Sequence, residues 1–137
     1  MYEQITDGFR VRVEPDFMDN RSSPSDGLYF WAYTVEITNL GVRTGTLRKR
    51  YWRICDAHGK IEEVRGAGVI GEEPELPPGE QFVYTSGCPL TTPSGFMEGH
   101  YILEMIDGES LQVEIPAFSL DSPHATNSVN KCACLDA

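Results

Sequence analysis

A chain of 137 residues, 40% hydrophobic and 23% charged, has the size and balance of one ordinary globular domain that needs neither disulfides nor metals to fold. With a net charge of −10, the chain lacks the excess of basic residues that a general nucleic-acid binder needs, and no apolar run is long enough to span a membrane. Because the first residues carry no basic segment followed by an apolar one, no secretory signal is predicted and a cytoplasmic location is expected.

In chain order, apolar and polar residues alternate at every second position, which is the period of a β-strand. The first such segment covers residues 9–13, and the second covers 29–37, where every odd-numbered residue is large and apolar. A polar loop over 19–27 separates these two strands. Further strands are predicted over 46–56, 60–64, 80–87, 99–106 and 110–118. Gly59 and the pair Asp107–Gly108 are predicted to form tight turns between them.

The chain contains no stretch with a convincing helical period, and helix start and stop signals are missing. About seven or more short antiparallel strands separated by glycine and proline turns predict an all-β fold, a β-sandwich of the immunoglobulin or fibronectin type III kind. A barrel is the alternative. Trp31 and Trp52 are expected in the core. The sandwich domain is predicted over 1–120, followed by a flexible C-terminal tail over 121–137 where apolar periodicity is lost.

Basic residues are concentrated early in the chain, because residues 1–65 hold ten of the eleven Lys and Arg. Arg10 and Arg12 share one strand face, and four of the six residues over 48–53 are basic. If these strands are neighbours, they form a basic stripe that suits an anion or an acidic partner. The alternative is that these cations pair with the acidic groups of the protein itself.

A glycine-rich segment carries the spelling G-x-G-x-x-G at Gly66, Gly68 and Gly71, which marks dinucleotide sites elsewhere. The dinucleotide motif needs a helix after the last glycine, but three prolines in the five residues 74–78 exclude one here. A structural turn is therefore favoured. The remaining possibility is that consecutive N–H groups of the turn form an anion-binding nest, with Arg65 beside it.

No set of residues is predicted to carry catalysis or to hold a metal or cofactor. Cys88 lies in a hydroxyl-rich loop and is interpreted as a small buried apolar residue rather than a reactive thiol. Asp56 and His58 provide two possible metal ligands, which do not make a site. The Cys-x-Cys pair at 132–134 with His124 would suit a soft metal, but incidental thiols in a tail are favoured.

The block from Val64 to Gly99 together with the segment "VEIPAFSL" resembles the ApaG family, and the similarity covers about residues 3–120. The resemblance implies a fibronectin type III-like sandwich and a cytoplasmic bacterial protein, also called CorD, linked to cobalt resistance and magnesium efflux. The resemblance extends to related domains of other proteins and implies for them a role in contacts between proteins. It supplies no catalytic residues. A possible pyrophosphate site of the family would fall on the three glycines, where this chain has Ala67 in place of an expected proline.

The sequence thus predicts a non-enzymatic protein-interaction module associated with divalent-cation (cobalt and magnesium) homeostasis, with a protein partner, no cofactor, no nucleic acid and no membrane span. The alternative is a module that binds an oligophosphate or a metal-phosphate complex through Arg65, Gly66, Gly68 and Gly71. An enzyme is the third possibility, and it would need roles for Cys88 or His100 that no motif indicates.

Overall fold

The computed structural model describes residues 1–124, which form an all-β domain and confirm the predicted fold class. The nine strands are β1 (Tyr2–Thr6), β2 (Phe9–Phe17), β3 (Tyr29–Asn39), β4 (Gly45–Asp56), β5 (Ile61–Ala67), β6 (Glu75–Leu76), β7 (Gln81–Leu90), β8 (Ser94–Met105) and β9 (Ser110–Asp121). The polar loop between β2 and β3 contains two single 3-10 turns, Asp19–Arg21 and Pro24–Asp26. In this part of the chain no helix is long and apolar enough to cross a membrane.

The strands form two antiparallel sheets packed face to face, so the sandwich prediction is confirmed and the barrel is excluded. One sheet has the order β1-β2-β3-β7, and the other has the order β5-β4-β8-β9 with the short β6 paired to β4. Strands β2 and β4 therefore belong to different sheets. The basic stripe, which required these strands to be neighbours, does not form, and the alternative is confirmed, because most of these arginines pair with nearby carboxylates.

Alternating side chains build the core because they point to one face of each strand. In β3 all five odd-numbered residues from Tyr29 to Ile37 are buried, as the sequence pattern predicts. Trp31 and Trp52 are both buried and come from opposite sheets. The remaining bulk of the core comes from large residues of the other strands, including Phe9, Leu47, Tyr84, Tyr101, Leu103, Phe118 and Leu120.

The predicted turns form where glycine allows a left-handed backbone. Gly59 has φ +83° between β4 and β5, and Gly108 has φ +89° between β8 and β9. The hairpin at Asp107–Gly108 is closed by the hydrogen bond from the Met105 N–H to the Glu109 carbonyl, 2.8 Å. Both turn predictions are confirmed.

The two long sides of the sandwich differ. On one side β1 packs against β9, where the Thr6 hydroxyl accepts a hydrogen bond from the Glu114 N–H at 3.2 Å. On the other side β5 and β7 are the last strands of their sheets, and the gap between them opens as a cleft. This second side contains the predicted glycine loop.

The division between the domain and its predicted tail stays a prediction. Asp121 is the last residue of β9, and the Ser122 N–H donates to the Pro93 carbonyl at 3.0 Å. The ring of His124 contacts those of Phe17 and Tyr29. The rest of the predicted tail, with the Cys-x-Cys pair at 132–134, lies outside the described residues.

Candidate functional site

The glycine loop joins β5 to the short β6, and each of its three glycines has a separate structural role. Gly66 lies within β5 and pairs with Arg50 of β4. Gly68 has φ +58°, and a Cβ there would lie 2.1 Å from the carbonyl oxygen of Glu72. Gly71 has φ +80° and follows Ile70 at φ +44°, so these two residues form the left-handed pair of a type I′ turn.

Three N–H groups of this loop are already occupied by the backbone. The Gly68 N–H donates to the Arg48 carbonyl at 2.8 Å, and Val69 and Glu72 exchange two hydrogen bonds of 2.8 and 2.9 Å across the turn. The adjoining Glu73 carboxylate pairs with Arg48 at 3.1 Å. A nest needs consecutive N–H groups that point at one anion, and these donors point elsewhere. The loop is thus primarily a closed turn.

Arg50 lies directly beneath the loop. Its Nη1 donates to the carbonyls of Ala67 at 3.0 Å and Gly68 at 3.1 Å. A Cβ on Gly66 would lie 2.6 Å from that same Nη1, so a larger residue there would displace the guanidinium from this position. The first glycine of the motif therefore accommodates an arginine of the protein. Sequence reasoning named Arg50 only as a member of a basic run and missed this position.

Arg65 points to the outer face of its sheet, away from Arg50. Its guanidinium lies 4.7 Å from the ring centroid of Tyr51 and 3.3 Å from the Glu63 carboxylate. The Tyr51 hydroxyl donates to Glu63 at 2.6 Å, which raises the pKa of Tyr51 and lowers that of Glu63. The ring of His100 stacks on Tyr51 at 4.9 Å.

A shallow depression of about 390 Å³ covers this outer face. It is lined by Lys49, Arg50, Tyr51, Arg65, Gly66, Ala67, His100 and Ile102. Of the four residues predicted to bind phosphate, the structure brings Arg65 and Gly66 together here, whereas Gly68 and Gly71 do not line the depression.

The cleft on the open side has a volume of about 220 Å³ and lies between β5 and β7 on the inner faces of the two sheets. Its apolar walls include Trp52, Val64 and Met97. Its polar groups come from both sheets and are the hydroxyls of Tyr33 and Ser86, the guanidinium of Arg50, the carboxylate of Glu62 and the thiol of Cys88.

Comparisons with known proteins agree on one family. The sequence model of the family described as the ApaG domain matches residues 19–105. A protein named ApaG from Methylorubrum extorquens is 57% identical over 130 residues, which cover 95% of this chain and 100% of the relative, and the ApaG of Azorhizobium caulinodans is 52% identical over the same length. This chain belongs to the ApaG family. A crystal structure of a Bordetella pertussis protein assigned as ApaA superimposes with a TM-score of 0.82 at 44% identity, covering 85% of this chain and 94% of that one.

Cys88 of this ApaG chain is a buried residue of β7. Burial raises the pKa of its thiol to about 12, so the group stays protonated at neutral pH. A nucleophilic cysteine needs the opposite shift. The predicted burial of Cys88 is confirmed, whereas its placement in a loop is wrong, because β7 continues to Leu90.

The carboxylate of Asp56 has a structural role in a turn. One Asp56 carboxylate oxygen accepts hydrogen bonds from the N–H groups of His58 at 2.9 Å and Lys60 at 3.0 Å, so it closes the turn after β4. Among residues 1–124 no three His, Cys, Asp or Glu side chains converge in a way that could hold a metal ion.

One end of the ApaG sandwich exposes three large apolar side chains. Leu40 and Val42 lie in the β3–β4 loop and are 52% and 92% exposed, and Ile106 lies in the β8–β9 turn and is 74% exposed. The Ile106 N–H donates to the Thr44 carbonyl at 2.9 Å, which joins the two loops. Leu40 and Val42 lie beside Gly41 outside the predicted strands, which is a sequence signal for this surface, whereas the sequence predicts Ile106 as the last residue of a strand that in fact ends at Met105.

This apolar end, Leu40, Val42 and Ile106, has a rigid support. The fully buried Asn39 donates from Nδ2 to the Arg43 carbonyl at 2.7 Å and the Leu76 carbonyl at 2.8 Å, and its Oδ1 accepts from the Gly41 N–H at 2.9 Å. The Arg43 side chain bridges to Asp107 at 2.7 Å and to Glu109 at 2.8 Å. The loops thus hold the apolar side chains in a fixed arrangement with charges at the rim.

Proposed function

We propose that this ApaG-family chain is a protein-interaction module without catalytic activity of its own, which acts in the cytoplasm and binds a partner through the apolar end. The observation that carries the proposal is the exposure of Leu40, Val42 and Ile106 on loops fixed by Asn39 and Arg43. Exposed apolar side chains surrounded by polar groups are typical of protein contact surfaces. A prearranged surface also binds with less loss of conformational entropy.

The association with cobalt and magnesium homeostasis, which the family resemblance implies, belongs to the same proposal. It would act through the partner, because the described residues offer no converging set of metal ligands. The partner is expected to present an apolar patch, with charges that complement Arg43 on one side and Asp107 and Glu109 on the other.

The test replaces the apolar end by charge. Affinity-tagged wild type and the double variant Val42→Asp/Ile106→Asp are used to capture proteins from a bacterial extract, with quantitative mass spectrometry as the readout. The matched control is Ile61→Asp, because Ile61 is 44% exposed at the start of β5 and pairs with Cys55, at the opposite end of β4 from the apolar end. A partner recovered by wild type and Ile61→Asp but lost with the double variant supports the proposal. Equal recovery with all three proteins contradicts it.

A second candidate function is the binding of an oligophosphate or metal-phosphate complex near Arg65, Gly66, Gly68 and Gly71. The favouring observation is that Arg65 and Gly66 share the outer depression with Lys49 and His100, which supplies two cations and an imidazole. Amide signals of residues 64–72 would then shift in an NMR titration with pyrophosphate and its Mg²⁺ complex. Unchanged signals at millimolar ligand would exclude this candidate and leave the partner-binding proposal intact.

A further inference from the structure

Among the described residues, Arg50 is one of two arginines that form no ion pair with a carboxylate. Six arginines form ion pairs with carboxylates, and Arg21 lies over the ring of Phe30. Arg50 is half-buried, and within residues 1–124 no carboxylate forms an ion pair with it. In a protein of net charge −10, this is an isolated cation placed between two sheets.

The hydrogen bonds of Arg50 leave most of its guanidinium available. Both protein contacts, to the carbonyls of Ala67 and Gly68, are made by Nη1. An arginine side chain has five N–H donors in a planar fork that matches a carboxylate. The loop therefore anchors one corner of the fork and fixes its orientation, and Nη2 and Nε have no hydrogen-bond partner among the described residues.

The surroundings of Arg50 combine hydroxyl groups with apolar walls. The Tyr33 side chain, buried in β3, hydrogen-bonds to Ser86, and both line the cleft with Arg50. The apolar wall comes from the same sheet as Arg50 and consists of Trp52, Val64 and Met97, of which Trp52 and Met97 are buried. Pockets for small molecules have this mixture of apolar lining and a few converging polar groups.

Glu62 limits the charge that the cleft accepts. Glu62 pairs with Ile54 and points into the same cleft. It precedes Gly66, the residue next to the Arg50 guanidinium, by four residues of β5, which corresponds to about 13 Å along the strand. A multiply charged phosphate would be repelled by this carboxylate, whereas a single negative charge next to Arg50 would be stabilised.

We propose that the cleft between β5 and β7 is a binding site for a small monocarboxylate with an apolar or aromatic body. The carboxylate pairs with the free side of the Arg50 fork, and the Tyr33 and Ser86 hydroxyls supply further hydrogen bonds. The body of the ligand packs against Trp52, Val64 and Met97 of the same sheet. Gly66 contributes to this site because its lack of a side chain leaves space for the Arg50 guanidinium beside the cleft. The site is independent of the apolar end proposed for the protein partner.

The experiment is an NMR titration of the full chain with benzoate, and with benzamide as the uncharged ligand of the same shape. Benzoate is expected to give saturable shifts of the Trp52 indole N–H and of the amides of Tyr33, Val64 and Ser86, with at least tenfold weaker shifts for benzamide. Shifts confined to Lys49, Arg65 and His100 would instead place the anion on the outer face and overturn the proposal. Equal shifts with both ligands, or no saturable shift with either, would also overturn it.

Three variants separate the role of the charge from the integrity of the fold. Arg50→Gln should reduce benzoate affinity at least tenfold, and Arg50→Lys, which keeps the charge but loses the planar fork, should reduce it by less. The matched control is Arg53→Gln, which removes a cation from the outer face of the same strand and should leave affinity unchanged. If Arg50→Gln does not fold, Ser86→Leu serves instead, because it fills the cleft without changing its charge and should block benzoate. Binding that survives Ser86→Leu contradicts the proposal.

Discussion

The guanidinium of Arg50 occupies the space that a side chain on Gly66 would need, since a Cβ there would lie 2.6 to 2.7 Å from three of its atoms. Gly66→Ala is therefore expected to displace the Arg50 guanidinium and to lower the free energy of unfolding by about 1 kcal/mol, because the hydrogen bonds of Arg50 to the Ala67 and Gly68 carbonyls are lost. Urea denaturation measures this. The cost should largely disappear when Gly66→Ala is made in an Arg50→Ala background.

The control for this pair is Gly71→Ala, where no atom lies within 4 Å of an added Cβ and the cost comes from the positive φ alone. Its cost should be the same in the presence and absence of Arg50. Additive costs for Gly66→Ala and Arg50→Ala would show that the two residues do not compete for space.

Ile70 is a β-branched residue at φ +44° in the turn Val69–Glu72 and is 54% exposed. A branched side chain in the left-handed region is strained, whereas Asn followed by Gly is the preferred pair for a type I′ turn. Ile70→Asn should therefore raise the free energy of unfolding by about 0.5–1 kcal/mol, with a matching rise in Tm. Ile61→Asn, at an exposed position in β5, is the control and should not stabilise. A loss of stability in Ile70→Asn would contradict the assignment of strain.

The hydroxyls of Tyr84 and Tyr101 form a buried hydrogen bond of 2.5 Å between the two sheets. Removing one hydroxyl leaves the other buried with its partner lost, so Tyr84→Phe or Tyr101→Phe should each cost about 1–3 kcal/mol. The double variant should cost clearly less than the sum, because no polar group is then left unpaired. Tyr2→Phe, at an exposed position, should change stability by less than about 0.5 kcal/mol. Strict additivity in chemical denaturation would contradict the coupling.

Cys88 makes stability depend on pH in the alkaline range. Burial raises the pKa of its thiol from 9.0 to about 12, so between these values the unfolded chain has lost the proton and the folded chain retains it. The protonated thiol of Cys88 therefore makes its full contribution to the free energy of unfolding below about pH 9. This contribution falls by about 1.4 kcal/mol per pH unit as the pH rises toward 12. The difference in the free energy of unfolding between wild type and Cys88→Ala, measured at a series of pH values, should change with this slope above pH 9.

The same burial predicts the chemical behaviour of Cys88. At pH 8 in the native state, iodoacetamide should leave the Cys88 peptide unmodified, and in denaturant it should label it completely, as peptide mass spectrometry can measure. Rapid native labelling would show that the thiol is accessible or ionised.

The strands could be predicted because their signal is local. Alternation over Tyr29–Asn39 and the Asp107–Gly108 turn depend on near neighbours in the chain, and the structure confirms both. The position of Arg50 could not be predicted in this way. A bulge between Leu47 and Lys49 shifts the pleat by one residue, so that Leu47, Arg50 and Trp52 all face inward.

The glycine loop shows the same limit. Its spelling indicates that three positions need glycine, and the reasons are different contacts with Arg50 and Glu72 and a turn conformation. Arg50 belongs to another strand, so its contact with Gly66 depends on strand pairing and cannot be predicted from neighbouring residues of the sequence. The exposure of Val42 and Ile106 likewise depends on how two distant loops meet.

The packing of β1 against β9 also determines how copies of this molecule can associate. Those two edge strands contact one another, so among the described strands β5, β6 and β7, on the opposite side, remain for adding a strand. If two copies meet through this same side, the contact closes after two copies, whereas a chain lacking residues 2–6 would expose β2 and β9 as well and could grow at both ends. We therefore expect the short first strand to oppose open-ended polymerisation.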